Sequence, residues 1–330
     1  MISSEKKGVG QHKVGTGISF LRRLRLNSRF GKNYRALNQT WIKSFVLLVF
    51  LKMNGQGVES QDQVQFQYGV APSLGKHQME TYEYSFSKKA YILGMPSSFQ
   101  VTYLNSRFTY FEVPEIANTE TYERLHLVDL NFQGVKQFSN QWDLTFRANP
   151  QFSSNFSNGL SSEDIILGFG LGVSKKWSKS TFTIGLERST TFGDPQLLPY
   201  MYYGHTFNAS LHLQVGFPHS YFTYNINPRH ILSAHALAQG NYYNITGNSS
   251  FTEFGTLGST KLSYSSFNFS LKHQYKIQPN ITTITQIGLL SNNDLKVESP
   301  NGNSVMTFDT NESVYFSMGL QFKLNKNDHE

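Results

Sequence analysis

The feature that most constrains this chain is a two-residue alternation of apolar and polar side chains, sustained over unusually long runs. Clear examples cover residues 142–148, 181–186, 206–215 and 314–324. Successive side chains of a strand point to opposite faces, so each run predicts a strand with one apolar and one polar face. After residue 58 no apolar run approaches the ~18 residues of a spanning helix. The pattern predicts an all-β chain.

Strand length and the rhythm of the connections distinguish a membrane barrel from a soluble sandwich. Many runs reach the ~9–11 residues that a tilted strand needs to cross a bilayer. Short polar turns alternate with longer polar connections, and both chain ends fall on the side of the short turns. The short turns are 95–97, 139–140, 178–179, 227–229 and 278–280, and the long connections are 72–80, 113–120, 153–162, 193–203, 246–259 and 291–311. This rhythm predicts an antiparallel transmembrane β-barrel of about twelve strands.

One predicted strand, residues 204–226, is too long. Its apolar positions change from odd numbers (Phe207 to Val215) to even numbers (Phe222, Tyr224) across Gly216-Phe217-Pro218. A bulge at this point would restore the facing of the side chains. The alternative is a break into two strands, which would make the predicted count odd.

The charge of the chain is concentrated at its amino terminus. The formal net charge is +7, but residues 1–57 hold 11 of the 29 Lys and Arg residues and only one acid, Glu5. The remainder, 58–330, is therefore slightly acidic and has no reason to bind nucleic acid. Cysteine is absent, which excludes disulfides and thiolate chemistry.

The same amino-terminal stretch has the features of an export signal. An apolar segment, Phe45 to Leu51, follows the basic residues and precedes the small residues Gly55 and Gly57. It is too short to span a bilayer but suits the apolar core of a signal peptide. We therefore expect 1–57 to be a basic extension with a signal peptide, and 58–330 to form the barrel in the cell outer membrane.

Barrel closure makes further predictions. In hydrocarbon an open sheet edge leaves backbone groups unpaired, so Val314–Leu324 should pair with Gln63–Ala71. Tyrosines near predicted strand ends, at 82–84, 200–203 and 242–243, are expected to form interfacial girdles beside the outer-membrane lipids. Insertion would require the barrel-assembly machinery, and the sequence leaves the oligomeric state open.

The polar strand faces should line the lumen. The candidate lumen-lining residues are Asp143, Arg147, Asn149, His212, Gln214, Asn268, Lys272, Gln274, Gln321 and Lys323. Their charges would either define a narrow aqueous path or pair and close it. Gly168, Gly170 and Gly172 share one face and would either make room for bulky lumen side chains or permit sharp curvature.

No pattern for catalysis, a cofactor or a metal occurs. The ten histidines are scattered and form no ligand motif. Asn227-Pro228-Arg229-His230 superficially resembles a lipase motif, but it lies at a predicted short turn without a matching serine motif. We expect no catalytic, cofactor-binding or metal-binding residues.

The chain resembles the uncharacterised outer-membrane β-barrel families of Bacteroidota, among them a porin-like domain of unknown function. The resemblance rests on Tyr82-Glu83-Tyr84-Ser85-Phe86-Ser87, on the segment Tyr221–His235 and on Tyr315-Phe316-Ser317-Met318-Gly319-Leu320-Gln321-Phe322. The family supplies no catalytic residues. One departure is that Phe322 is followed by eight more residues, whereas such barrels often end on an aromatic residue.

The sequence therefore favours an outer-membrane barrel that acts as a narrow porin or channel for small solutes, or as a structural or surface component. Two alternatives remain. A secreted soluble β-sandwich that binds a ligand would turn its apolar faces to a core, and an outer-membrane lipid hydrolase would need a serine beside a histidine.

Overall fold

The computed structural model describes residues 62–111, 113, 115–116 and 118–324, and the predicted signal peptide lies outside these residues. The strands are β1 (Asp62–Ala71), β2 (His77–Ile92), β3 (Met95–Tyr110), β4 (Arg124–Gln137), β5 (Trp142–Ser154), β6 (Ile165–Lys176), β7 (Ser180–Ser189), β8 (Gln196–Asn208), β9 (Leu211–Phe217), β10 (His219–Asn225), β11 (His230–Phe251), β12 (Gly255–Gln278), β13 (Ile281–Glu298), β14 (Ser304–Thr307) and β15 (Ser313–Leu324). A short helix, α1 (Glu120–Glu123), precedes β4, and a 3-10 helix (Ser162–Asp164) precedes β6.

The strands form one closed antiparallel ring. Each strand from β1 to β13 pairs with the next, β13 pairs with β15, and β15 pairs with β1. The predicted seam is confirmed, since Asp62 lies opposite Leu324 and Val70 opposite Phe316. Strand β14 pairs only with β13 and lies outside the ring. In the described part of the chain, the barrel therefore consists of fourteen strands, β1 to β13 and β15.

The predicted count of twelve is low because of the segment 193–226. The predicted long connection 193–203 contains the first eight of the 13 residues of β8, and the predicted single strand 204–226 contains the end of β8 together with β9 and β10. Asn208 turns the chain at residues 209–210, where its side-chain oxygen accepts a 2.8 Å hydrogen bond from the Ser210 N–H. Pro218, which has no N–H to donate, separates β9 from β10. The two turns explain the higher strand count, and the turn at Pro218, rather than a bulge there, explains the change in apolar phase.

The exposed surface of the ring is apolar. In β15 the side chains of Val314, Phe316 and Met318 are 44%, 46% and 63% exposed, whereas Ser313 and Ser317 are buried. In β6 Leu167, Phe169 and Leu171 are exposed while Ile166 is buried. Similar outward apolar positions on the other ring strands make a continuous apolar belt. The soluble sandwich is therefore wrong, because it requires two sheets with their apolar faces turned to a core.

The predicted tyrosine girdle is only partly correct. Tyr84 and Tyr203 are outward and exposed. The register of β8 turns Tyr200 and Tyr202 to the opposite face from Tyr203, and Tyr243 is fully buried. Strand parity, rather than residue type, decides which tyrosines meet lipid.

The strands differ greatly in length. Strands β11, β12 and β13 have 22, 24 and 18 residues, whereas β9 and β10 have seven each. The long β11–β12 hairpin bends across the barrel, where Asn244 pairs in parallel with Ser154 of β5 and Phe251 bridges to Ile116. We use the name cap for three adjoining parts. They are the hairpin from Asn241 to Tyr264, the end of β13 from Asn292 onward, and β14.

Within the described residues, no helix is long and apolar enough to cross a membrane.

Closure of the ring predicts that detergent-solubilised protein migrates faster on a gel before boiling than after it, because an intact barrel resists unfolding by detergent. The measurement is gel migration of unheated and boiled samples, with circular dichroism of the unheated form. Identical migration of a β-rich sample in both lanes would contradict a closed, stable ring.

Candidate functional site: a capped polar lumen

The inward face of the ring is polar. Side chains on this face meet across the barrel, as the Ser106 hydroxyl of β3 does with the Tyr243 hydroxyl of β11 at 3.1 Å. The strand registers place every predicted lumen-lining residue on this face; they are Asp143, Arg147, Asn149, His212, Gln214, Asn268, Lys272, Gln274, Gln321 and Lys323.

Several charged groups of the lumen are paired. Arg147 Nη1 lies 3.0 Å from Glu187 Oε2, and the Arg147 guanidinium lies 4.9 Å from the centre of the Tyr200 ring. Lys176 forms an ion pair with Asp143. The Asn149 amide donates a 2.5 Å hydrogen bond to Asp129. At these positions the charged side chains bind one another, rather than standing free along an aqueous path.

Two glycines make room for the bulky Tyr200. A Cβ atom at Gly172 would lie 1.9 Å from the Tyr200 hydroxyl oxygen, and one at Gly185 would lie 2.4 Å from its ring carbon Cζ. Of the two roles considered for the β6 glycines, Gly172 therefore serves the first, by admitting a large side chain into the lumen. The Arg147 guanidinium packs over the Tyr200 ring, so Gly172 indirectly positions the Arg147–Glu187 ion pair.

Sequence reasoning missed three lumen acids: Glu83, Asp129 and Glu187. The predicted girdle included Glu83, although it lies between two outward tyrosines and must point inward by parity. Asp129 and Glu187 lie opposite the inward residues Gln151 and Gly170. Parity alone could have found all three.

An apolar core closes the lumen beneath the cap. From the barrel wall it contains Phe108, Leu125 and Leu127, and from the cap Tyr243 and Ile245. The remaining buried members are Ala71, Leu74, Met79, Ile116, Tyr122, Phe251, Leu262, Tyr264, Leu290, Leu295, Val297 and Phe308. This cluster lies across the mouth on the side of the long loops.

Asn155 fastens the cap to the wall. Its amide nitrogen donates to the backbone oxygens of Thr121 at 3.1 Å and Thr246 at 3.0 Å, and its side-chain oxygen accepts from the Thr246 N–H at 3.2 Å. Next to it, the Ser154 hydroxyl and the Asn155 N–H both donate to the Asn244 carbonyl oxygen. One loop residue thus joins three chain segments.

A buried polar chain continues this attachment. The Asn244 amide donates a 2.7 Å hydrogen bond to the fully buried Asp164, and Lys261 donates to the Asn244 side-chain oxygen at 2.8 Å. Lys261 also lies 3.3 Å from Glu163. The cap is therefore held by specific directional contacts as well as by apolar packing.

A cavity of ≈ 280 Å³ lies in the lumen below the cap. Leu104 and Leu127 form part of its wall, and Glu83, Asp129 and Gln151 supply carboxylate and amide groups. Ser189, Thr190 and Thr191 border it on one side and Gln239, Gly240 and Asn241 on another. The cavity combines an apolar wall with several hydrogen-bond acceptors.

A histidine is buried in the core under the cap, beyond the level of the lipid-facing belt. His77 is fully buried among the rings of Phe108, Tyr110 and Phe308, with centroid distances of 6.1–6.2 Å. Among the residues that the structure describes, neither ring nitrogen has a hydrogen-bond partner. Burial lowers the pKa of His77 to about 4, because the charged form would lose its hydration without gaining a partner.

Other candidate chemistry has structural roles. Asn227 accepts hydrogen bonds from the backbone N–H groups of Arg229 and His230, at 2.9 and 3.0 Å, so the lipase-like motif builds a turn. Among the residues the structure describes, no group of three or more His, Cys, Asp or Glu could hold a metal ion.

A closed antiparallel ring of fourteen strands, apolar outside and polar inside, defines an outer-membrane β-barrel. The chain belongs to the family described as domain of unknown function (DUF6268), whose model matches residues 81–323. No curated protein matches the sequence.

Solved structures similar to the chain are outer-membrane β-barrels. The NanC porin is 12% identical, with 80% of this chain and 100% of that chain covered and a TM-score of 0.34. Omp33 of Acinetobacter baumannii is 10% identical, with 82% and 100% covered and a TM-score of 0.37. A FadL homologue of Pseudomonas aeruginosa is 9% identical, with 81% and 90% covered and a TM-score of 0.39.

The contacts of Asn155 predict that Asn155→Ala loosens the cap by about 2 kcal/mol, since it removes three side-chain hydrogen bonds to the backbone of Thr121 and Thr246. Hydrogen exchange measured by mass spectrometry should show faster exchange in residues 241–264 and unchanged exchange at the β1–β15 seam. Asn303→Ala, in an exposed loop, is the matched control. Equal protection of the cap in both variants would contradict the role of Asn155.

The burial of His77 predicts acid sensitivity of the cap. The unfolded state takes up a proton near pH 6.5 and the folded state only near pH 4, so stability is complete above about pH 6.5 and falls by up to about 3 kcal/mol as the pH drops toward 4. Cap hydrogen exchange between pH 7 and pH 4, corrected for intrinsic rates, measures this loss. His77→Phe should flatten the profile, and an unchanged profile would refute the assignment to His77.

Proposed function

We propose that this protein is a narrow outer-membrane channel for small polar solutes, closed at its outer mouth by the cap. The observation that carries the proposal is the contrast between the two levels of the lumen. Below the cap the inward face is polar from β1 to β15, and at the cap it becomes a buried apolar core. A polar solute can occupy the lower lumen but cannot cross the core while the cap stays in place.

The attachment of the cap supports reversible gating. The chain has no cysteine, so only hydrogen bonds, ion pairs and apolar packing hold the cap. Its directional contacts to the wall include those of the loop after β5, around Asn155, and those of the 3-10 helix, and others lie at Tyr243 and Lys296. Non-covalent contacts of this kind can break and re-form, so that the cap opens as a unit without unpairing the ring.

The lumen residues would set the selectivity. Arg147, Glu187 and Tyr200 form a charged cluster on the inward face, and Lys272 and Glu83 lie on the same face. Charges of both signs close to one another favour small neutral or zwitterionic polar solutes over ions of a single sign. A structural or surface role is compatible with the same cap, but it predicts that the protein conducts no solute.

We propose no catalytic role. One serine–histidine contact exists, between Ser180 Oγ and His205 Nδ1 at 2.8 Å, on the outward face near a short turn. Within the described part of the chain, no carboxylate or amide side chain hydrogen-bonds to the His205 ring. A hydrolase would need such a group to orient the base.

Export and insertion into the membrane would precede channel function. The N-terminal segment 1–57 would direct export, the barrel-assembly machinery would insert the ring, and outer-membrane lipids would surround the apolar belt. The net charge of the barrel gives no basis for nucleic-acid binding. The Bacteroidota origin rests on the resemblance described above.

The gating proposal predicts that a disulfide across the cap stops conductance. Ser154 and Asn244 are direct strand partners, a geometry that suits a cysteine pair. In planar bilayers, oxidised Ser154→Cys/Asn244→Cys should show no openings, and a reductant should restore them.

The two single-cysteine variants are the controls, and Asn155→Ala should open more often than the wild type. A steady conductance in the oxidised double variant would show that the cap is not the gate. Absence of conductance in every variant, including Asn155→Ala, would favour the structural role.

A further inference from the structure

The barrel wall has a gap in strand pairing between residues 196–200 of β8 and the part of β11 beyond Leu237. We call this gap the notch. The β9–β10 hairpin ends at the level of Met201, because Phe217 pairs with Met201 and the chain turns at Pro218. Residues 196–200 of β8 have β7 as a neighbour on one edge and, within the described part of the chain, no strand on the other. Beyond Leu237, β11 has no pairing with β10.

The notch lies within the lipid-facing belt. On β8 the outward positions above Met201 are Pro199 and Leu197, and the Leu197 side chain is 59% exposed. Leu186 of β7, directly opposite Pro199, is also exposed. The β9–β10 hairpin therefore ends about two outward-facing residues below the top of the apolar belt, in the half of the belt nearer the cap.

A short loop covers the notch. The β7–β8 connection, residues 190–195, runs over the hairpin tip and packs against β11 and β12. Phe192 stacks on Phe217 at a centroid distance of 5.6 Å and contacts Phe267 edge-on at 6.3 Å. The Thr190 hydroxyl donates a 3.2 Å hydrogen bond to the Gly240 carbonyl oxygen.

Small residues allow this close packing. A Cβ atom at Gly240 would lie 2.4 Å from the Thr190 carbonyl oxygen, so no larger residue fits under the loop. The loop is also tied to the cap, because Asp194 lies 3.2 Å from Lys296, which lies 3.0 Å from Glu298. The loop is a discrete cover with few attachments.

The lumen cavity lies directly behind this cover. Its lining includes Thr190 and Thr191 from the loop, and Gln239 to Asn241 from the strand edge that the loop covers. Displacement of the loop would therefore open the cavity sideways toward the outer half of the bilayer while the cap remains closed.

Among the described residues, the cavity is lined by two carboxylates, Glu83 and Asp129, and by no Lys or Arg side chain. Asp129 accepts a hydrogen bond from the neutral Asn149 amide, and among the described residues it has no ion-pair partner. The Gln151 side-chain oxygen is buried without a partner. Beside these groups, Leu104 and Leu127 provide an apolar wall. A carboxylate, an unpaired acceptor and an apolar wall together suit an ammonium group attached to a short hydrocarbon body.

We propose that the notch is a lateral portal through which small amphiphilic amines pass from the outer half of the bilayer into the lumen cavity. This inference rests on the proposed function only in assuming that solutes occupy the lumen. The volume of the cavity, ≈ 280 Å³, is at the lower limit of ligand pockets, which limits the occupant to a small molecule. Phe192 is the positioning residue of the cover, and Asp129 selects the cation.

Thiol accessibility tests the portal, because the chain has no cysteine of its own. The protein carrying Thr102→Cys, a residue that lines the cavity, is reconstituted in lipid vesicles. It is treated with 2-aminoethyl methanethiosulfonate or with the anionic 2-sulfonatoethyl analogue. We expect the cationic reagent to react about tenfold faster, and Phe192→Ala to accelerate it by about another tenfold, because the loop loses two aromatic contacts.

Control variants separate the possible routes. Phe254→Ala, an exposed aromatic residue of the β11–β12 turn, should leave the rate unchanged. Asp129→Asn should remove most of the preference for the cation while Phe192→Ala still accelerates the reaction. Equal rates with and without Phe192→Ala would overturn the portal, and equal rates for the two reagents would overturn the assignment to amines.

The cap disulfide distinguishes this inference from the proposed channel. If oxidised Ser154→Cys/Asn244→Cys leaves the reaction at position 102 unchanged but stops conductance, both proposals stand. If oxidation stops the reaction too, access runs through the cap, so the portal fails and the channel survives. If conductance is absent in every variant but Phe192→Ala still accelerates the reaction, the channel fails and the portal stands.

Discussion

Backbone hydrogen bonding in lipid is the constraint on which the rest of this structure depends. Every N–H and C=O group within the hydrocarbon must find a partner in the protein, so the sheet has to close. The seam between β1 and β15 provides that closure over nine residue pairs, from Asp62 to Val70. Once the ring is closed, alternation turns one face of each strand to lipid and the other to the lumen. The apolar belt and the polar interior are two results of one geometric requirement.

Unequal strand lengths add a second level of organisation. Three long strands, β11 to β13, rise beyond the belt, and the two short strands β9 and β10 stop within it. The extra length forms the cap, which buries an apolar core against the opposite wall. The missing length forms the notch, which the β7–β8 loop covers with Phe192. Both features are adjacent in the ring, and together they bound the lumen cavity.

The polar lumen and the apolar cap place different demands on buried groups. In the lumen, charges such as Arg147 and Glu187 are paired and partly hydrated. Under the cap, His77 is kept neutral by burial without any partner. At the boundary, the side chains of Ser154 and Asn155 donate hydrogen bonds to backbone carbonyl oxygens of the bending hairpin.

Local alternation in the sequence was sufficient to predict the all-β class, the inward parity of residues such as Arg147 and Lys272, and the pairing of the last strand with the first. These follow from a period of two and from the need for closure, which require no knowledge of distant contacts. The division of 193–226 into three strands was not predictable in the same way, since Asn208 and Pro218 allow either a bulge or a turn. The cap and the notch were decided only by tertiary structure. Their residues, from Asn155 with Thr246 to Phe192 with Phe267, are far apart in the chain, and only the closed ring brings them together.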